Sequence, residues 1–367
     1  MKHILNFIKY AALSAIAVGT VTSCLEKYPG SAIPVQNSMK TFSDAEQHLI
    51  GIYASLKSGN LYSGSLALLP DIQADLVMAS LTNNNPYPGI WEWDIRPTNE
   101  HIEGVYGALY SVIGNCNFYL DRIADVIASE TDEDNLETLD AYTGEVYAIR
   151  ALCYSELIKC FCAAYPAADS DGSIPDDEAA RNLPGVVLRT KYFEPEPVKR
   201  ASLYDSWQHV LDDLDRAEEL LDDGDDDPSA SEDDVYDNYY ISPAAVYAIR
   251  SRVALYMRDW EDAVTYSSYV IDNGAFALSG TSVNQTTGYT GFDSLWYYDT
   301  GTEIIWRIGF TGTSYGGALG TVFLNYTRDY TYLYPDYVPS EWVVGLYSSS
   351  DIRYLAYFAD ASVTGIQ

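Results

Sequence analysis

Apolar residues recur every three or four positions through most of the chain up to about residue 275, which predicts a helical body. A first helix opens at Ser43, with Glu46 as the partner of a capping box and Leu49, Ile52, Tyr53 and Leu56 as its apolar line. Residues 65–79 form a second segment, with Asp71 and Asp75 one helical turn apart, and residues 80–100 read as loop. The register Ile102, Val105, Leu109, Ile113, Cys116, Leu120, Ile123 and Ile127 predicts a long helix over 101–129, and another follows over 136–163. After a proline-punctuated loop, Ser202 caps a strongly amphipathic helix. Trp207, Val210, Leu211, Leu214 and Ala217 form its apolar face, while Asp212, Asp213, Asp215, Glu218 and Glu219 face water. Ser242 and Pro243 supply the N-cap and first turn of the next helix, which runs to about Arg258. Asp259 and Trp260 then turn the chain into a partner helix over 261–272.

Val146-Tyr147-Ala148-Ile149-Arg150 recurs letter for letter as Val246-Tyr247-Ala248-Ile249-Arg250, both times inside a predicted helix. Trp260, Ala263 and Tyr266 behind the second copy resemble the turn and second helix of a tetratricopeptide repeat, where small residues permit close helix approach. Arg150 and Arg250 share a register, and pairing with a carboxylate is expected for both. Trp207, Trp260 and Trp306 are expected in the core. Beyond residue 275 the periodicity gives way to Gly, Thr, Ser and Tyr; Glu303–Ile308 reads as a strand and the remainder as loops and short strands.

The N-terminus changes the picture. Lys2 and Lys9 flank a basic segment, and Ala11–Val21 is an apolar stretch too short to span a bilayer as a helix. Val21-Thr22-Ser23-Cys24 resembles a bacterial lipobox, which implies cleavage after residue 23 and acylation of Cys24. Residues 24–40 would then form a lipidated tether holding the protein on a membrane. The other cysteines, Cys116, Cys153, Cys160 and Cys162, lack zinc spacing and are expected as buried free thiols. With 53 acidic and 21 basic residues the formal charge is −32, which argues against nucleic acid and against electrostatic docking on anionic lipid. The 33 tyrosines suit instead the apolar faces of neutral sugars or peptides.

Several blocks, in order, resemble the SusD/RagB family of outer-membrane nutrient-binding lipoproteins of Bacteroidetes. They are Cys24 with its proline-containing tether, Gly51-Ile52-Tyr53, and Asp71 to Asp75. Val105-Tyr106 to Asn117, Gly144-Glu145 with Arg150-Ala151-Leu152, and Asp213-Leu214 follow. Ala245 to Leu255 with Trp260 and Ala263, and Glu303-Ile304-Ile305-Trp306, complete the series. The resemblance implies a mainly α fold: a helical body over 41–275 with tetratricopeptide-like pairs, and a loop-rich ligand face with short strands over 276–367. It also implies capture of a poly- or oligosaccharide, delivery to a SusC-like TonB-dependent transporter, and no catalysis. The family's closing helical segment is not found after Asp351-Ile352-Arg353.

Glycans bind by stacking on aromatic rings while amides, carboxylates and guanidinium groups take the hydroxyls. Trp91 and Trp93, beside Asn83, Asn84, Arg96 and Asn99, fit that chemistry and resemble the family's tryptophan loop. Alternation along an extended stretch would send only one of the two rings outward. Trp296, Tyr298, Tyr289 and Tyr315 form a second set of candidates. Asp223, Asp225, Asp227 and Asp234, with Ser229 and Ser231, meet part of a calcium-loop template. Pro228 stands where that template needs glycine, and Asp234 where it needs glutamate; both departures favour a solvated acidic loop, with calcium the alternative. The sequence carries no nucleophile triad, H-E-x-x-H, Walker or dinucleotide motif. A glycoside hydrolase built on a carboxylate pair, or a protein-binding helical scaffold, are the competing functions.

Overall fold

The computed structural model describes residues 38–80, 84, 86–193, 199–221, 238–273, 276–286, 288–311, 319–323 and 335–358. Caps decide where the helices begin. Helix α1 (Phe42–Leu56) starts ahead of the expected Ser43, because Thr41 and Asp44 form the capping box and Glu46 takes no part in it. Helix α2 (Ser65–Gln73) stops before Asp75, whose φ of +55° leaves the helical region, so Asp71 and Asp75 do not share a helical face. Strand β1 (Val77–Ala79) follows. The register expected over 101–129 is divided between α3 (Glu100–Leu120) and α4 (Ile123–Ser129). The break falls at Arg122, whose φ of −121° departs from the helical value.

The axis of the body is α5 (Glu133–Phe161), whose stretch from Thr143 to Ile158 is buried almost without interruption. It packs between α3 and α7 (Leu203–Leu221). Approach to α7 is close at Gly144, where a Cβ would lie 2.8 Å from Leu221 Cγ and 3.2 Å from the Ala217 carbonyl oxygen. A short helix, α6 (Asp177–Asn182), and the antiparallel pair β2 (Pro184–Val187) and β3 (Arg200–Ser202) connect α5 to α7.

Asp213 does not face water as its place in the acidic series suggested. It is buried on α7 and receives Arg150 of α5 through two bonds, Nε to Oδ2 at 2.8 Å and Nη2 to Oδ1 at 2.6 Å. The third arm of the guanidinium donates to Asn117 Oδ1 at 2.7 Å, so one arginine ties α3, α5 and α7 together. Its repeat counterpart, Arg250 of α8 (Pro243–Met257), pairs with Asp215 of the same helix α7. The repeated pentapeptide therefore reaches α7 twice, two residues apart.

Helix α8 ends at Arg258, in the left-handed region, and turns into α9 (Trp260–Asn273). The two pack as a hairpin: Ser251 donates to the Ala263 carbonyl at 2.9 Å, and Tyr247 meets Tyr266 and Tyr269. Trp260 is half-exposed at this turn rather than in the core, with its indole N–H donating to the Ser173 carbonyl at 2.8 Å. Cys116 and Cys153 are buried free thiols, whereas Cys160, also expected to be buried, is exposed and Cys162 is partly exposed.

Residues 303–308 form no strand. The segment is docked on residues 238–239 instead: Arg307 N donates to the Asn238 carbonyl at 2.9 Å and the Trp306 indole to the Tyr239 carbonyl at 3.2 Å. The C-terminal part is more helical than its composition suggested, with α10 (Gly291–Tyr298), α11 (Leu319–Phe323), α12 (Glu341–Val344) and α13 (Ile352–Tyr357). Strand β4 (Tyr337–Pro339) returns to pair antiparallel with β1, Ala79 opposite Tyr337. Among the described residues no helix is long and apolar enough to cross a membrane.

Candidate functional site

The two tryptophans lie on consecutive tight turns between β1 and α3, not on an alternating strand. Ile90 N donates to the Tyr87 carbonyl and Trp93 N to the Ile90 carbonyl, each at 3.2 Å. Tyr87 and Ile90 are buried and anchor the loop, which leaves both Trp91 and Trp93 exposed, at 38% and 65%. Trp93 has φ +58°, a conformation that costs a side-chain-bearing residue about 1 kcal/mol. Gly89 makes the turn feasible: its φ is +79°, and a Cβ there would stand 2.6 Å from the Asp94 carbonyl oxygen.

The polar candidates divide. Asn99 is the N-cap of α3, accepting from His101 N at 3.0 Å and Ile102 N at 3.3 Å, while its amide donates to the Pro88 carbonyl. Asn84 is held by Asp336, which accepts from its backbone N at 2.8 Å and its side-chain amide at 3.2 Å. Both amides are thus engaged within the protein. Arg96 pairs with Asp94 at 2.8 Å and is largely exposed. A depression of about 440 Å³ gathers Arg96 and Asn99 with Glu92, Asp94, Thr98 and Glu100 over Pro88 and Gly89. Several carboxylates and one guanidinium in an open depression can share hydroxyl hydrogen bonds; Trp91 and Trp93 do not line it but offer exposed apolar faces on the adjoining turns.

Sequence reasoning missed Glu92, Asp94, Thr98 and Glu100. The Asp-x-Arg spacing of 94 and 96 was the local sign available for the pair. The role of Asp336 had no local sign, since it lies more than 200 residues from the loop it braces.

Trp296, Tyr298 and Tyr289 form a second aromatic group. Trp296 and Tyr298 project from α10, which buries none of its residues. Tyr289 meets Tyr298 at 5.5 Å between ring centroids, and Trp296 meets Tyr357 of α13 at 4.9 Å. Tyr315, Asn83, Cys24 and the acidic run Asp223, Asp225, Asp227 and Asp234 lie outside the described residues. Among the described residues no group of three or more His, Cys, Asp or Glu side chains is arranged to hold a metal ion.

A profile of the SusD-like family, described as starch-binding and associating with the outer membrane, matches residues 25–255. The chain belongs to the SusD/RagB family. It is 25% identical to SusD-like protein P38 of Formosa agariphila over 295 residues, 76% of this chain and 48% of that protein. This SusD-like chain thus spans about half the length of that curated relative. A SusD superfamily structure from Bacteroides thetaiotaomicron superposes with a TM-score of 0.64 at 21% identity, covering 83% of this chain and 61% of the other. A laminarin-binding SusD-like protein superposes with a TM-score of 0.58 at 19% identity, covering 86% and 66%. These neighbours agree with the mainly helical fold.

Proposed function

We propose that this SusD-like chain binds a neutral oligosaccharide at the outer membrane through Trp91 and Trp93, and passes it on without changing it chemically. The exposed indole pair on a braced turn, beside the carboxylates and guanidinium of the 440 Å³ depression, carries the reading. Stacking on Trp93 would bury an apolar sugar face, and Glu92, Asp94, Arg96 and Glu100 would take hydroxyls. The net charge of −32 favours a neutral ligand over an anionic one. Trp296, Tyr298 and Tyr289 would extend the contact surface for a longer chain. Acylation at Cys24 would hold the protein on the membrane, and a SusC-like TonB-dependent transporter would receive the ligand; the family assignment supports both roles.

The test is a calorimetric screen of the parent, Trp91→Ala and Trp93→Ala against starch, laminarin and other neutral polysaccharides. At least one polysaccharide should bind the parent, with Trp93→Ala weakened by about tenfold or more, as expected for loss of a stacking platform. Equal binding by the parent and both variants would refute the site. Release of reducing ends during incubation would refute the non-catalytic role.

A further inference from the structure

Glu145 of α5 is a buried carboxyl, 5% exposed, that no cation among the described residues meets. Tyr53 of α1 donates its hydroxyl to Glu145 Oε2. Ile241 N donates in turn to the Tyr53 oxygen at 2.8 Å, and the same amide faces the carboxyl. Tyr240 meets the Tyr53 ring edge-on, at 5.4 Å between centroids. Residues 238–241, just ahead of α8, are thus strapped to the helical body at one carboxyl.

The same strap holds the 304–309 segment. Asn238 donates its side-chain amide to the Ile304 carbonyl at 3.2 Å, and its own carbonyl accepts from Arg307 N at 2.9 Å. Tyr239 receives the Trp306 indole N–H at its carbonyl and the Arg307 guanidinium over its ring, 4.4 Å from the centroid. Beneath the segment lies a cavity of about 330 Å³ against α5 and α8, and Ile305, Trp306 and Ile308 are only half-buried. The hold on the segment therefore leans on these polar contacts. Arg307 also pairs at 3.1 Å with Asp299, the C-cap of α10, so the helix of Trp296 and Tyr298 is joined to the strap.

Burial raises the Glu145 carboxyl to about 8, against the opposing bonds from Tyr53 and Ile241. The groups that face it are phenols: Tyr53 from α1, Tyr119 from α3 and Tyr142 from α5 itself, with Tyr240 on the strap and Glu46 beyond Tyr142. None supplies a positive charge. An ionised Glu145 gains hydration only if its cover opens, and the strap is the slightest part of that cover, a few residues beside whole helices.

We propose that residues 238–241 form a proton-controlled clasp, closed on the 304–309 segment while Glu145 is neutral and opened by its ionisation. Because the folded value is the higher one, closure is strongest in acid and weakens as pH rises through about 8. Alkaline surroundings then free α10 from the body, whatever ligand its rings meet.

Hydrogen exchange of the whole protein at pH 6 and pH 9, corrected for intrinsic rates, reads the clasp directly. Protection of the Ile241 and Arg307 amides should fall about a hundredfold between the two, the ratio set by a carboxyl at about 8 when closed and 4.5 when open. At both pH values these amides should be at least tenfold less protected than those of buried Val210 and Leu214 in α7, which separates local opening from global unfolding. Glu145→Gln, neutral throughout, should keep the same protection at pH 6 and pH 9. Glu145→Met carries the same comparison if the glutamine variant does not fold. Protection in the parent that does not change with pH overturns the proposal. So does an equal fall in the neutral variants, or strap amides as protected as those of α7.

Discussion

Asp213→Asn keeps the shape of the side chain but strips the charge that the Arg150 guanidinium meets. Both side chains are almost fully buried, with 7% of Arg150 and 4% of Asp213 exposed. The guanidinium has bonds of 2.8 and 2.6 Å to the carboxylate and a third of 2.7 Å to Asn117. Breaking a buried pair from one side leaves an uncompensated charge and costs about 3–5 kcal/mol. Asparagine retains one acceptor, so the lower figure, about 3 kcal/mol, applies. Unfolding entropy of about 2.1 cal/mol/K per residue gives roughly 0.8 kcal/mol/K over the 367 residues, hence a drop in Tm of about 4 °C. Asp215→Asn is the internal control. It lies two residues away on the same helix and also meets an arginine, but Asp215 is 58% exposed, and such a pair is worth at most about 1 kcal/mol. Arg150→Met with Asp213→Leu should recover most of the loss, since a buried pair gains little over well-packed apolar residues. The assay is denaturant unfolding of the three variants beside the parent. If Asp213→Asn costs no more than Asp215→Asn, the junction of α3, α5 and α7 does not depend on this ion pair.

Three further outcomes are expected. Burial raises the Glu145 carboxyl from 4.5 to about 8, so its stabilising contribution is complete below pH 4.5 and fades as pH rises to about 8. At about 1.4 kcal/mol per pH unit this amounts to roughly 5 kcal/mol, and denaturant unfolding at several pH values should show Glu145→Gln with a flatter profile across that window. Gly89→Ala should weaken saccharide binding by more than it lowers the unfolding temperature, because a Cβ 2.6 Å from the Asp94 carbonyl oxygen must reshape the turn that carries Trp93. Thiol labelling of the native protein should modify the exposed Cys160, slowly because partial burial pushes its thiol up to about 11, and spare Cys116 and Cys153, which become reactive on unfolding.

The helical body was legible because its apolar residues repeat with the period of an α-helix, and a buried stripe is a local property. The errors arose where a distant partner overrides local pattern. Asp213 reads as one more acid on a wet face until Arg150, 63 positions away, is brought against it. Ile304, Ile305 and Ile308 have the branching of a strand, but the chain opposite them at 238–239 offers a loop rather than a ladder. Alternation along 91–93 predicted one buried indole; consecutive turns anchored by Ile90 leave two exposed. Trp260 is amphipathic enough to sit at a hairpin turn, and its N–H finds a carbonyl there.

The brace on the tryptophan loop sets an order of events. Asn84 is held by Asp336, Ser80 N donates to the Asp336 carbonyl at 3.0 Å, and β1 is completed only by β4. Trp342 donates its indole N–H to the Asp75 carbonyl at 3.1 Å, just before the same strand. Every one of these closures spans more than 200 residues, and such contacts form late. A chain emerging from its N-terminus could therefore assemble α1 to α9 while the indoles still lacked their support. Under the proposed role, ligand affinity would then report the arrival of residues 336–342, so a polypeptide in transit would remain blind to the sugars around it.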